Sequence, residues 1–378
     1  MGNKFIKIVT GDINQFYEEK KGNFFINFLD VIENLKSLFN GDESILNASL
    51  GLSKDFIINE GSVKRLTSSF ESELGMLIKP LKEEGFLERI YIINPTVTLN
   101  ESIKKLYPEN VDEIKYSFYS YKNDDIIKSY KITNSEIRGQ EKAIKKIHSS
   151  LINHNNSNKT KVFLLYGPAG VGKTESIKSI AKILFGDDKL KRIQLSMQND
   201  TEGYNYIFGN NKHKKSLSED ILNRKSNFIL LDEFDKCPAN TYNAFYQMFD
   251  ENIFKDNHFQ IDLSGTIIFC TTNFKDKINI KNILGSALYS RIDVFVKYET
   301  IDEKIKYEYL EKLYHKLISK YDESTKETLL SSGLLKVLLK QDINKLSMRE
   351  IDSMTIESIN RYLFNCLLEK ELYPQIHE

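Results

Sequence analysis

Eight consecutive residues near the middle of the chain carry the clearest chemistry. They match G-x-x-x-x-G-K-[ST] in full and are Gly167, Pro168, Ala169, Gly170, Val171, Gly172, Lys173 and Thr174. The glycines let backbone N–H groups curl around phosphate oxygens without a Cβ clash. Lys173 would supply a cation to the β- and γ-phosphates, and Thr174 a hydroxyl to Mg²⁺. The segment therefore predicts a binding site for ATP with Mg²⁺.

A pair of acidic residues, Asp232 and Glu233, directly follows an apolar run at 228–231. A carboxylate at the C-terminal end of a strand faces the ligand crevice of a parallel sheet. Asp232 can hold Mg²⁺, directly or through water, and Glu233 can orient and deprotonate an attacking water. The alternative is a pair of solvated acids at a strand end.

Asn273 follows a third apolar run, at 266–271. Its amide would lie at the same edge of the sheet as the acidic pair, where it could position the water beside the γ-phosphate. The alternative is an asparagine that only caps or turns the chain. The residue types thus predict a complete set of groups for phosphoryl transfer to water.

The elements that must position these groups can be recognised from apolar patterning. Short apolar runs at 162–166, 228–231 and 266–271 are typical of buried strands in a parallel sheet. Residues 175–185 continue the phosphate loop as a helix, whose N-terminal dipole favours an anion. Strand, loop and helix in this order predict an α/β fold.

Three segments together resemble an AAA+ ATPase: 167–175, 230–236 (Leu-Leu-Asp-Glu-Phe-Asp-Lys) and 271–273 (Thr-Thr-Asn). Within that superfamily the chain is most similar to the Clp-type unfoldases and disaggregases, over about residues 133–375. The resemblance implies a P-loop parallel-sheet domain followed by a C-terminal helical lid, with helical patterning at 303–320, 323–340 and 348–372. It also implies a homo-oligomeric ring, of six subunits by analogy, that acts on a protein substrate.

The same resemblance assigns roles to three further residues. Ile137 opens the segment Ile-Arg-Gly-Gln, which sits where the family has an entry motif that packs near the adenine. Arg291, in Ser-Arg-Ile-Asp, corresponds to the arginine finger that reaches a neighbouring subunit's γ-phosphate. Arg349, in Ser-Met-Arg-Glu, corresponds to the sensor 2 arginine at the start of a lid helix. The alternative for both arginines is an ordinary surface salt bridge.

One segment departs from the family pattern. Clp-type unfoldases carry an aromatic-aliphatic-Gly pore loop between the phosphate loop and the acidic pair, but here that region offers only Gly203-Tyr204 or 206–209 (Tyr-Ile-Phe-Gly). If these aromatics line a pore, the chain is expected to thread polypeptide. If they are core residues, it would remodel a partner without threading.

Residues 1–131 predict a separate, smaller α+β domain. Between 62 and 93 the pattern is helix, turn at Gly75, helix and strand, which resembles a winged helix, although Pro80 lies inside the second helix. Five basic and five acidic residues between Gly61 and Ile90 favour protein docking or oligomerisation over DNA binding. A polar connector at 122–134 predicts the boundary, with the ATPase domain at 132–300 and the lid at 301–378.

Composition limits the classes of partner and the compartment. The chain of 378 residues has 53 Lys plus Arg and 53 Asp plus Glu, which disfavours bulk binding to nucleic acid or to an anionic membrane. Its three cysteines show no metal or disulfide spacing, and no stretch is long enough to cross a bilayer. We expect a cytoplasmic protein. Three functions stay open: a protein remodeller, a DNA-linked AAA+ factor and an ATP-gated switch or scaffold.

Overall fold

The structure is a computed structural model that describes residues 4–30, 55–59, 63–64, 66, 68–152, 154, 157–197, 200–211 and 213–372. Its buried apolar side chains gather in three places along the chain. One group belongs to an N-terminal sheet, a second lies on both faces of a central sheet, and a third lies among the C-terminal helices. No helix in these described ranges is long and apolar enough to span a membrane.

The described residues of the N-terminal part form a sheet of five strands, and all pairings between these strands are parallel. Its order is β2-β3-β4-β1-β5, with Ile6 of β1 in register with Ile90 on one side and Val111 on the other. The strands are β1 (Ile6–Gly11), β2 (Ile26–Asn27), β3 (Asp55–Ile58), β4 (Arg89–Ile93) and β5 (Val111–Tyr116). The helices among its described residues are α1 (Ile13–Glu19), α2 (Ser68–Leu74), α3 (Ile78–Glu83) and α4 (Val97–Leu106).

This topology shows that the prediction of an α+β, winged-helix-like domain was wrong. The two helices on either side of Gly75 are present, and Pro80 is tolerated because it lies in the first turn of α3, where its missing N–H has no partner to lose. The following strand, however, does not form an antiparallel wing. It pairs in parallel with β1 and β3 at the centre of the sheet, as its almost continuously buried residues require.

The central sheet is also entirely parallel, with the order β12-β6-β11-β8-β7. The strands predicted at 162–166, 228–231 and 266–271 are confirmed as its three inner strands. Its members are β6 (Lys161–Tyr166), β7 (Lys191–Gln194), β8 (Phe228–Asp232), β11 (Ile267–Thr271) and β12 (Val294–Lys297). Around it lie α5 (Asn123–Glu136), α6 (Glu141–Leu151), α7 (Lys173–Phe185), α8 (Asp200–Phe208), α9 (Leu217–Leu222), α10 (Ala244–Asp250), α11 (Lys277–Tyr289) and the antiparallel hairpin of β9 (Ile253–Lys255) and β10 (Gln260–Asp262).

The segment predicted as a polar connector, 122–134, is instead most of helix α5. Its Ser129 and Thr133 are buried, and their hydroxyls are hydrogen-bonded to His148 at 3.1 Å and to Ser179 at 3.1 Å. These buried hydrogen bonds explain why a polar composition is compatible with a packed helix. The boundary predicted at 131–132 therefore falls inside a helix, and Tyr121 already packs in the core of the central sheet.

The C-terminal helices form a small bundle, as the resemblance implied. Gly333, with φ of 70°, divides the predicted middle helix into two short ones, because glycine adopts this left-handed conformation without strain. The bundle consists of α12 (Glu303–Ile318), α13 (Glu323–Ser331), α14 (Leu334–Leu338) and α15 (Met348–Leu372). Helix α15 begins at residue 348, and its first turn lies at the phosphate loop.

Candidate nucleotide site

The predicted phosphate loop joins β6 to α7 at the carboxyl end of the central sheet. Three of its residues have positive φ: Gly167 (136°), Gly170 (72°) and Gly172 (97°). A Cβ atom at Gly167 would lie 2.2 Å from the carbonyl oxygen of Tyr298, and one at Gly170 would lie 2.7 Å from the Cβ of Ser347. Glycine is therefore required both by backbone conformation and by space. The result is a tight cradle of backbone N–H groups suited to phosphate oxygens.

Lys173 is the buried cation of this cradle, with only 7% of its surface exposed. Its Nζ donates to the carbonyl oxygens of Gly167 (2.7 Å) and Pro168 (2.5 Å) and to Oδ1 of Asn273 (3.1 Å). Burial lowers the pKa of Lys173 to about 8, while nearby Asp235 and Asp232 act in the opposite direction. Because its hydrogen-bond partners are neutral oxygens, this ammonium group fits a phosphate.

Asp232 lies at the end of β8 with its two oxygens held by different groups. Oδ1 accepts hydrogen bonds from Thr174 Oγ1 (2.9 Å) and from the hydroxyl of Thr271. Oδ2 accepts from Arg192 through Nε (2.9 Å) and Nη2 (2.7 Å). Burial raises the pKa of Asp232, but the hydrogen bonds from Thr271, Arg192 and Thr174 outweigh this effect and hold the pKa below its ordinary value. The carboxylate is thus ionised, as a magnesium ligand must be.

Glu233 follows Asp232 in a left-handed backbone conformation, with φ of 56° and ψ of 46°. This conformation costs a non-glycine residue about 1–2 kcal/mol, and such strain is concentrated at functional sites. The backbone N–H of Glu233 donates to Thr271 Oγ1 at 2.9 Å, and Gln194 Nε2 lies 3.4 Å from Oε2. The turn separates the Glu233 side chain from Asp232, so the two carboxylates can serve different roles.

Asp235 was not predicted from the sequence, yet it lines the same cavity. Its Oδ1 is buried and has no hydrogen-bond partner within the described part of the chain, while Oδ2 accepts from the backbone N–H of Asn273 at 3.4 Å. Asp235 lines the same cavity as Asp232 and Thr174, and its carboxylate is a hard oxygen donor of the kind that Mg²⁺ prefers. Within the described ranges no group of three or more His, Cys, Asp and Glu residues could hold a metal ion by itself. A magnesium ion here would therefore share its ligands with phosphate and water.

The entry segment and the lid close the cavity, which has a volume of about 250 Å³. Ile137 lies against the loop, since a Cβ at Gly172 would be 3.1 Å from its Cγ2. Gln140 is buried and exchanges two hydrogen bonds with the backbone of Glu299, at 2.8 and 3.1 Å, which anchors the entry segment to the sheet. Arg349, in the first turn of α15, also lines the cavity.

Arg291 is the one predicted site residue that the structure places elsewhere. Its guanidinium is bound to Asp250 at 3.0 Å, donates to the carbonyl oxygen of Ala287 and lies over the ring of Tyr246. It does not line the nucleotide cavity of its own chain. All other predicted residues converge: Ile137, the loop 167–174, Asp232, Glu233, Asn273 and Arg349 lie within or around one cavity.

Besides Asp235, sequence reasoning missed Arg192 and Gln194. Both lie on β7, whose Gln194 is in register with Asp232 of β8, and both line the cavity. The available signal was weak, because β7 is a four-residue strand with only one buried position. Because they are two residues apart, Arg192 and Gln194 lie on the same face of β7. This spacing would have predicted their place in the site only if β7 had been known to lie next to β8.

Comparisons with known proteins show which family model and which proteins this chain is similar to. Residues 158–323 match the family model described as AAA domain (Cdc48 subfamily). The chaperone protein ClpB of Malacoplasma penetrans is 26% identical over 274 residues, which is 64% of this chain and 39% of that protein. The heat shock protein 100 of Trypanosoma brucei brucei is 30% identical over 150 residues, 36% of this chain and 17% of that protein. The chain thus spans well under half the length of these relatives.

One solved structure resembles the chain almost throughout. It is a cryo-EM reconstruction of the closed state of Hsp104 with ATPγS and FITC-casein. The match covers 98% of this chain and 88% of that one, with a TM-score of 0.50 and 14% sequence identity. At this identity the likeness establishes a shared fold.

Proposed function

The chain carries a Clp-type AAA+ ATPase module, and from that premise we propose that it is an ATP-driven, ring-forming machine that remodels a protein partner. The observation that carries the proposal is the convergence of Lys173, Thr174, Asp232, Glu233 and Asn273 at the carboxyl end of one parallel sheet. A cytoplasmic location, predicted from the sequence, accompanies the proposal.

Each of these groups has a distinct task. The backbone of the loop and Lys173 bind the phosphates, and the hydroxyl of Thr174 with the carboxylates of Asp232 and Asp235 would hold Mg²⁺. When bound, the metal neutralises charge on the phosphate oxygens. Glu233 accepts the proton of the attacking water, while Asn273, fixed by Lys173, orients that water. The sensor arginine, Arg349, couples the lid to the occupied site.

Arg291 is the residue that would link ATP hydrolysis to assembly of the ring. In this chain it is partly exposed and held by Asp250, outside its own cavity, so it is available to an adjacent subunit. We propose that in the ring it exchanges Asp250 for the γ-phosphate of a neighbour. A planar guanidinium suits the spreading charge of the transition state, and a finger supplied in trans makes hydrolysis depend on assembly.

The variant Arg291→Ala tests this role. It should bind ATP with unchanged affinity, because the residue lies outside its own cavity, and it should lose about 10³-fold or more in hydrolysis. Lys281→Ala, at an exposed position on helix α11, which ends two residues before Arg291, is the control and should behave as wild type. Mixing Arg291→Ala with Lys173→Ala subunits should restore part of the activity, because one kind of interface then contains a complete site. If Arg291→Ala alone hydrolysed ATP at the wild-type rate, Arg291 would not complete the site of a neighbouring subunit.

The segment that should contain a pore loop favours a second candidate, an ATP-gated switch or scaffold that does not thread polypeptide. Residues 200–208 form helix α8, in which Ile207 is buried, Tyr206 and Phe208 pack on the core, and the Tyr206 hydroxyl donates to Asp220 at 2.8 Å. Among the aromatic residues of α8, Tyr204, at 38% exposure, is the one that remains to contact a substrate. A threading remodeller should hydrolyse ATP faster with unfolded casein than without it, and Tyr204→Ala should abolish that stimulation; a switch should show none.

A further inference from the structure

Arg192, on strand β7, forms an ion pair with the buried carboxylate of Asp232 at the nucleotide site. The side chain of Asp232 is 4% exposed and that of Arg192 is 37% exposed. Both Nε and Nη2 of Arg192 donate to Oδ2 of Asp232, at 2.9 and 2.7 Å. A buried charge is costly unless a partner offsets it, so the guanidinium stabilises Asp232 as a carboxylate.

The hydrogen-bonding capacity of the Asp232 carboxylate is filled. Besides the two hydrogen bonds from Arg192 to Oδ2, its Oδ1 accepts hydrogen bonds from the hydroxyls of Thr174 and Thr271. An ionised carboxylate has about four lone-pair sites, and these hydrogen bonds use them all. A metal ion that takes Asp232 as a ligand, directly or through a water molecule, must therefore displace one of the three donor residues.

Arg192 is the donor that can leave Asp232 at the lowest cost. Thr271 is buried, and its Oγ1 also accepts a backbone N–H at 2.9 Å. Thr174 belongs to the phosphate loop, where its hydroxyl oxygen can bind a metal ion while its proton stays on Asp232. The guanidinium, in contrast, is in contact with solvent, and its Nη2 also donates to Oε1 of Gln194 at 3.2 Å. It can therefore turn away from the carboxylate without leaving a buried donor unpaired.

The charge of Asp232 matters for nucleotide binding because the carboxylate lies beside the phosphate cradle. Its Oδ1 is 2.9 Å from the hydroxyl of Thr174, the residue that follows Lys173 in the loop. Without a counter-ion, this buried carboxylate would repel the negatively charged phosphates of a nucleotide. Arg192 offsets that charge in the metal-free site, and a bound Mg²⁺ would offset it equally well.

We propose that Arg192 and Mg²⁺ are alternative counter-ions of Asp232, so that the guanidinium neutralises the carboxylate until it is replaced by the metal. Arg192 is thus a positioning residue, which acts through Asp232 and not by contact with the phosphates. The inference rests on the ATP site of the proposed function. Because Arg192 and the metal compete for one carboxylate, removal of Arg192 should increase the gain in nucleotide affinity that Mg²⁺ provides.

Isothermal titration of the full-length chain with the slowly hydrolysed analogue ATPγS tests the proposal. It is done once in excess EDTA and once in excess Mg²⁺, and the measured quantity is the ratio of the Kd in EDTA to the Kd in Mg²⁺. Arg192→Met removes the charge and keeps an unbranched side chain. We expect it to weaken binding about tenfold or more in EDTA, because Asp232 then repels the phosphates, and to leave binding in Mg²⁺ within about threefold of the parent. The ratio should therefore rise.

Two further variants make the result decisive. Arg138→Met removes an exposed cation that lines the same cavity but donates to the carbonyl oxygen of Ser135, so it should leave the ratio close to that of the parent. The double variant Arg192→Met/Asp232→Asn leaves neither charge of the pair without its partner, so it should fold even if Arg192→Met does not. It should bind ATPγS in EDTA about as the parent does, and it should gain less affinity from Mg²⁺.

The proposal is overturned if Arg192→Met weakens binding equally in EDTA and in Mg²⁺, because the guanidinium would then contact the phosphates directly. It is also overturned if Arg192→Met changes neither affinity, if Arg138→Met raises the ratio as much, or if the double variant keeps the full gain from Mg²⁺. A parent chain that binds ATPγS in neither buffer would contradict the nucleotide site itself, and with it this inference. Failure of the proposed function is thereby distinguished from failure of the role of Arg192 alone.

Discussion

Glu233→Gln is expected to keep Mg²⁺ and ATP bound while its turnover falls by about 10²- to 10⁴-fold, the usual contribution of a general base. Glutamine has the same shape and is equally compatible with the left-handed backbone at this position, but it cannot take a proton from water. Phosphate release would measure the turnover, and binding of a fluorescent ATP analogue would measure the affinity. The variant should also accumulate the ATP-bound assembly.

A matched control for this variant is Glu251→Gln, which neutralises an exposed carboxylate that does not line the nucleotide cavity. It should hydrolyse ATP as the wild type does. If Glu233→Gln turned over ATP at close to the wild-type rate, the base would have to be another group, and Asp235 would be the next to test. Glu233 would then be only a structural acid.

Lys173→Ala is expected to lower the affinity for ATP by about 10- to 100-fold, which corresponds to the loss of one charge-assisted interaction. The fold should survive, because the change removes a buried cation whose hydrogen-bond partners are backbone and amide oxygens. Titration with a fluorescent ATP analogue measures the affinity, and circular dichroism verifies the fold.

The control for this second variant is Lys178→Ala on the same helix. Lys178 is partly exposed and pairs with Glu175 at 2.8 Å, so its removal should change ATP affinity little. A folded Lys173→Ala protein that binds ATP as tightly as the wild type would contradict the assignment of the loop 167–174 as the phosphate site.

The nucleotide site could be predicted from the sequence because its groups lie next to short, apolar strands with clear ends. Lys173, Asp232 and Asn273 each follow such a strand closely, and parallel strands bring their carboxyl ends to one edge. Arg192 and Gln194 could not be predicted in the same way, since their approach to Asp232 depends on the order and register of β7 and β8. No local sequence pattern predicts such long-range pairing.

In the N-terminal domain, by contrast, the local elements could be predicted from the sequence but the way they pair could not. Its local pattern of two helices and a strand was correct, but the direction in which Arg89–Ile93 pairs is decided by β1, about eighty residues earlier in the chain. The helix α5 was missed for a related reason. Its inward face carries Ser129 and Thr133, which are satisfied only by His148 and Ser179 on helices that follow it. Both errors arose where a distant partner determines the structure.

The aromatic residues before the acidic pair could not be assigned to pore or core from the sequence, because both alternatives fit an irregular motif. The structure places Tyr206, Ile207 and Phe208 against the core and leaves Tyr204 exposed. The hydrogen bond from Tyr206 to Asp220, together with the ion pair between Asp220 and Lys191 at 2.6 Å, fixes α8 at the edge of the sheet. Threading by this segment would have to depend on Tyr204.

We propose that ATP is hydrolysed at the loop 167–174 in a site that a neighbouring subunit completes. Its most direct test is the rate of phosphate release per chain, measured on the wild type over a dilution series in which sedimentation follows the assembly. The rate should fall as the assembly dissociates, because Arg291 of the neighbour is then lost from each site. A rate per chain that stays constant when only monomer is present would contradict it.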